Sequence, residues 1–132
     1  MDGDNGGAFY SLVPNLEFYN VNGMKFNGPI YSEIGTLTNL DYMSFGHLEA
    51  YGTIPTELGL LTDLLYADLS SLPSLEGSLP SELGLLSKLT WLDLSGTPIT
   101  GTVPPALCKH FESGLLDMQA NWSLIECSQQ ED

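Results

Sequence analysis

The chain has 132 residues, with seventeen Asp and Glu against three Lys and no Arg, and a formal net charge of −14. So large an acidic excess excludes nucleic acid as a partner, because that recognition rests on Lys and Arg neutralising phosphate, and it argues equally against binding to anionic lipid surfaces. Apolar residues make up 42% and are spread evenly; with no run near the roughly 18 needed to cross a bilayer, the composition predicts one soluble domain with a continuous core and no direct membrane insertion.

Residues 1–11, beginning Met-Asp-Gly-Asp-Asn-Gly-Gly, read as a flexible polar leader. No apolar run comes after Met1, so this is not a signal peptide, and a secreted form would have to be a processed chain or a fragment. From residue 12 a repeat takes over. Gly28-Pro-Ile-Tyr-Ser-Glu-Ile-Gly returns after 24 residues as Gly52-Thr-Ile-Pro-Thr-Glu-Leu-Gly, after 25 more as Gly77-Ser-Leu-Pro-Ser-Glu-Leu-Gly, and after another 24 as Gly101-Thr-Val-Pro-Pro-Ala-Leu-Cys.

Between these segments a second pattern keeps the same step: Leu86, Leu89, Leu92, Leu94, Thr97, Ile99, then Gly101. Earlier copies are Leu37, Leu40, Met43, Phe45, Leu48 and Ala50, then Leu61, Leu64, Ala67, Leu69, Leu72 and Leu75, with one extra residue between Leu72 and Leu75. A partial first copy runs through Leu16, Tyr19, Val21 and Met24. A unit of this length cannot bury its own apolar edge and must lie against its neighbours in a solenoid. The pair Leu92-x-Leu94 has period two, which predicts a short strand with those side chains inward and residues 91, 93 and 95 outward. Stacked copies then form a parallel sheet. Pro55, Pro80 and Pro104 lack a backbone N–H, so the segment after each is predicted to be a turn with a short 3₁₀ or helical piece.

The predicted fold is an α/β-type repeat solenoid, with the sheet on the concave side and the turns on the convex side. Residues 12–107 hold about four units, and residues 108–132 the last repeat and a cap with an acidic tail.

The two patterns together resemble the leucine-rich repeat family, and the G-x-I-P-x-E-L-G-x-L half is similar to its plant-type subclass, which is also abundant in algae. The resemblance covers roughly residues 12 to 125. It implies protein or peptide recognition without catalysis or cofactor. The family pattern carries Asn where this chain has Met24, Leu48, Leu72 and Thr97, and only Asn121 fits. The backbone groups which that Asn would serve need other partners here, which marks a divergent member.

Cys108 and Cys127 flank the final unit, and the solenoid path can bring them within disulfide reach. The resemblance implies a reduced form of a Cys-rich cap, carried by Leu107-Cys108 and Ile125-Glu126-Cys127; two free thiols are the alternative. Asn121-Trp122-Ser123 is an N-glycosylation acceptor. Together these features point to an extracellular location or a secretory or organelle lumen, with a cytoplasmic one as the alternative.

Outward positions line up down the stack at roughly the 4.8 Å spacing of neighbouring strands. One column is Phe18, Tyr42, Tyr66 and Trp91, continued by Leu115. The leucines already supply the core, so these rings are expected on the concave surface, where such side chains serve recognition. Packing of rings across the sheet for its own sake is the alternative. The adjacent column is Asn20, Ser44, Asp68, Asp93 and Asp117. Three carboxylates about 5 Å apart repel one another by roughly 1 kcal/mol per pair in water. A basic partner or a cation would relieve that, as would splayed, hydrated side chains. Ligands on rigid strands do not wrap an ion, so no metal site is assigned. His47 and His110 fall in different phases of the repeat and form no triad or metal set, and a repeated ladder supplies no pocket, so no enzyme is expected.

The sequence therefore predicts a module that grips a protein or peptide with basic and apolar groups on Phe18, Tyr42, Tyr66, Trp91, Asp68, Asp93 and Asp117. A structural subunit of a larger assembly is the alternative. A minor one is a surface-adsorbing, ice-binding-like protein using Thr53, Ser78 and Thr102.

Overall fold

The computed structural model describes residue 10 and residues 12 to 127. The rest of the predicted leader, and the acidic tail beyond Cys127, lie outside the described residues. Tyr10 departs from the polar-leader reading. It is buried at 4% exposure and packs edge-to-face on Tyr19, ring centroids 5.7 Å apart.

Each coil begins with a three-residue strand: β1 (Phe18–Asn20), β2 (Tyr42–Ser44), β4 (Tyr66–Asp68), β6 (Trp91–Asp93) and β8 (Asp117–Gln119). They form one five-stranded sheet in the order β1-β2-β4-β6-β8, and every pairing is parallel. The inward residues Met43, Ala67, Leu92 and Met118 are all buried, as are Leu40, Leu64 and Leu89 ahead of the strands and Phe45, Leu69 and Leu94 after them. Alternation within so short a strand is enough to fix which side faces the core, because a slip of one residue would turn every leucine outward. A second edge is made by short parallel pairs, β3 (Tyr51–Gly52) with β5 (Ser74–Leu75), and β7 (Gly101–Val103) with β9 (Ile125–Cys127).

The convex side carries 3₁₀ turns at Ser32–Thr36, Thr56–Leu60 and Ser81–Leu85, each placing a Glu in its first turn, where the helix dipole favours it. Pro55 and Pro80 sit just before the second and third of these in extended conformation, ending the strand-like run as predicted. The Gly of each Glu-Leu-Gly has a packing reason. A Cβ at Gly59 would lie 2.4 Å from the carbonyl oxygen of Glu82 in the next coil, and one at Gly35 would lie 2.9 Å from that of Glu57.

The last coil is built differently. An α-helix, α1 (Pro105–Glu112), replaces the 3₁₀ turn, with Pro at its first position, where a missing N–H costs no hydrogen bond. Gly114, at φ 79°, ends it, and Leu115 N donates to His110 O at 2.8 Å. Cys108 on α1 and Cys127 on β9 are joined by a disulfide, with Cα atoms 5.7 Å apart.

The Asn-type position behaves unevenly. Leu48 and Leu72 are buried fillers there, but Met24 is 55% exposed and takes no part in the core. Thr97 does the polar work: its Oγ1 donates to Leu69 O at 2.7 Å and accepts from Leu72 N at 3.2 Å, tying two coils together. Asn121 is not a ladder residue. Its Oδ1 accepts from Ser123 N and Ser123 Oγ in its own exposed turn.

Candidate ligand-binding face

The register of the sheet decides which side chains share the concave face. Phe18 pairs with Tyr42, Tyr42 with Tyr66, and Tyr66 with Trp91. Their rings form one stacked file: centroids are 4.3, 4.5 and 5.7 Å apart, and successive planes differ by 11°, 7° and 4°. Phe18 is 57% exposed and the other three are half-buried. The rings are thus kept on the outer surface of the sheet, held by their own strand spacing and by offset stacking.

Burial raises the Tyr66 phenol above its ordinary pKa, and the neighbouring Tyr42 hydroxyl and the Asp68 and Asp93 carboxylates push the same way. The Trp91 indole N–H is covered and has no acceptor among the described residues.

Beyond Trp91 the expected order changes. The partner of Trp91 is Asp117, not Leu115, and the partner of Asp93 is Gln119. Leu115 lies outside the file, 64% exposed after the end of α1. The cause is the added length of the last coil: Trp91 to Asp117 spans 26 residues, two more than the repeat step that places Leu115 there, because a full α-helix and its Gly114 cap occupy the convex side. Asp117 therefore continues the ring column, and the second column runs Asn20, Ser44, Asp68, Asp93, Gln119, with two carboxylates in file instead of three.

Those two carboxylates already have partners. Asp68 is buried; its Oδ1 accepts from Ser70 N at 2.9 Å, and its Oδ2 accepts from Ser44 Oγ at 3.0 Å and Asn22 Nδ2 at 3.3 Å. Asp93 Oδ1 accepts from Ser95 N at 3.0 Å and Ser95 Oγ at 2.7 Å. Bonds from neutral donors offset much of the cost of holding a carboxylate at the sheet surface. Nothing in the column spacing alone predicts this network, although the recurring Asp68-x-Ser70, Asp93-x-Ser95 and Asn121-x-Ser123 pattern carries its signal.

The remaining candidates scatter. His47 lies in the turn after β2, exposed and at φ 62°, beside an open cleft of about 740 Å³ shared with Lys25 and Glu49. His110 is on α1. Thr53 faces Gly77 and Ser78 faces Gly101 across the coil spacing, so glycines interrupt the expected hydroxyl column. Asn121 is exposed, and its neighbour Trp122 stacks on Phe111 at 5.3 Å.

A family model for the leucine-rich repeat matches residues 88–110, the best-formed coil. The chain is a leucine-rich repeat protein with the plant-type segment. No curated protein sequence matches it significantly. Among solved structures, this leucine-rich repeat chain is similar to the plant peptide hormone receptor RGFR1 in complex with RGF2, at 25% identity and a TM-score of 0.79, covering 90% of this chain and 19% of that one. It is also similar to the leucine-rich repeat ectodomain of the membrane receptor kinase GASSHO1/SCHENGEN3 from Arabidopsis thaliana, in complex with CASPARIAN STRIP INTEGRITY FACTOR 2, at 28% identity and 0.78, covering 96% and 14%. A plant ice-binding protein aligns at 25% identity and 0.70, covering 82% and 34%. The chain spans less than one fifth of either receptor chain.

Proposed function

We propose that this chain is a non-enzymatic recognition module that takes up a protein or peptide across its concave face, with Phe18, Tyr42, Tyr66 and Trp91 supplying apolar contact and Asp93 and Asp117 favouring a basic partner. The observation that carries the reading is the ring file itself, four aromatic side chains stacked outside the core on a parallel sheet. Preorganised rings lose little entropy on contact and are the residue types that dominate binding energy. Two of the solved relatives are described with a peptide hormone or with a named factor bound, which supports the same class of partner. The Cys108–Cys127 disulfide and the exposed Asn121-Trp122-Ser123 triplet favour an extracellular or secretory-lumen setting.

Selection of a displayed random peptide library against the immobilised chain tests the reading. Tyr66→Ala together with Trp91→Ala should abolish capture of the selected peptides while leaving the folded circular-dichroism signal in place. Capture that survives both substitutions would remove the concave face from the proposal. Surface adsorption to ice is less well supported, because Gly77 and Gly101 break the Thr53, Ser78 and Thr102 column.

A further inference from the structure

The geometry points to an arginine-binding subsite at the Trp91 end of the ring file, formed by the open indole face and the carboxylates of Asp93 and Asp117; it rests on the concave face being the recognition surface. Stacking decides where a cation can sit. Tyr42 and Tyr66 have a ring against both faces, so they offer a ligand only their edges and hydroxyls. Cations are drawn to ring faces, not to edges, and indole attracts them best. Trp91 is covered on one side by Tyr66, but the next position in the column is the short Asp117 and no ring comes after it.

The charge at that point is not met from within the chain. Asp117 Oδ1 accepts from Gln119 Nε2 at 3.0 Å, and Asp93 Oδ1 is taken by Ser95. Among the described residues, Oδ2 of Asp93 and Oδ2 of Asp117 accept no hydrogen bond. Of the three lysines, Lys88 pairs with Asp63 at 2.8 Å, Lys25 lies in the turn beside His47 and Lys109 on α1.

A guanidinium suits this pairing better than an ammonium. Its plane can lie on the indole while its N–H fork reaches a carboxylate, whereas a lysine head is a strongly hydrated point charge that cannot stack. The other end of the file provides a contrast within the same molecule. Phe18 also has an exposed ring, but the residue beside it is Asn20, so no carboxylate faces a cation there. The ligand is thus expected to be a peptide segment that places one arginine against Trp91 and runs its remaining apolar side chains along the ring edges towards Phe18.

The test tracks the two indole N–H resonances by NMR while Nα-acetyl-arginine amide is added, with the citrulline and lysine analogues as comparison probes. Trp122, on the far side of the last coil, is the internal reference. The expected result is a saturable shift of Trp91 with the arginine probe, a weaker one with lysine, none with citrulline, and no movement of Trp122. Asp117→Asn should lower the arginine affinity roughly threefold to fivefold, the range of a solvent-exposed charge pair, and added salt should lower it further.

An equal response to citrulline, or an unchanged affinity in Asp117→Asn, would overturn the subsite; an equal response to lysine would overturn its assignment to arginine. The two readings fail separately. If Asp117→Asn weakens the arginine probe but library peptides still bind after Tyr66→Ala and Trp91→Ala, the subsite stands and the wider face falls. If those peptides need the rings but arginine does not need Asp117, the face stands and the subsite falls.

Discussion

The inner coils and the last coil solve the same packing problem in opposite ways. Around β2, β4 and β6 the chain keeps one step, a 3₁₀ turn on the outside and a ring in file on the inside, and each coil depends on the next for its buried leucines. The last coil has no successor among the described residues. It closes the core with a whole helix and a disulfide, and the added length moves Asp117 to where a ring would have stood. Ending a solenoid therefore changes the recognition surface as well as the stability. The cap places a carboxylate at the end of an aromatic row.

The contrast between the coils is most exposed to challenge in the middle of the stack. Leu64→Ala, at a fully buried site, should cost about 3 kcal/mol in chemical denaturation and lower amide protection in the coils on both sides. Cys127→Ser should cost about 2 to 3 kcal/mol, with hydrogen exchange accelerating in β8 and β9 while β2 and β4 keep their protection. An equal loss across all strands would mean that the cap is not a separate unit. Gly59→Ala forces a methyl group towards the Glu82 carbonyl and should destabilise by about 2 kcal/mol; Gly84→Ala, whose nearest contact is the Pro104 Cβ at 3.3 Å, should cost well under that. Comparable losses would show that the helical coil packs as tightly as the 3₁₀ ones.

The smallest effect lies at alkaline pH. Burial raises the Tyr10, Tyr19 and Tyr66 phenols above the unfolded value of 10.0, so the folded chain favours their neutral form. That stability is complete below pH 10 and declines as the pH climbs through the higher folded values. Denaturation midpoints should fall between about pH 9 and about pH 11, and Tyr66→Phe should make the decline slightly shallower.

Most of the fold was legible because its signal is repeated. Four in-phase copies place Leu92, Ala67 and Met43 inward and Trp91, Tyr66 and Tyr42 outward, and the observed pairings obey that arithmetic. It failed where the period is not kept. Counting 24 residues on from Trp91 gives Leu115, yet Leu116, Met118 and Ala120 alternate and mark Asp117 and Gln119 as the outward pair. Local alternation was the better guide there than the long step. Polar roles were harder to read, since Thr97 replaces an Asn by bonding across coils, and Asn121, which has the expected side chain, bonds only to its own turn. A residue type does not say which backbone groups lie within reach.

The one extra residue between Leu72 and Leu75 has a practical consequence. Both leucines stay fully buried, Leu75 N closes a turn onto Leu72 O at 3.1 Å, and only Pro73 and Ser74 bulge into solvent. Neighbouring strands β4 and β6 keep their pairing across the longer coil. The turn is accordingly a natural graft point: a short tag or reporter loop spliced between Pro73 and Ser74 would ride on the outer edge without disturbing the sheet, in the same way that the chain already carries its own insertion.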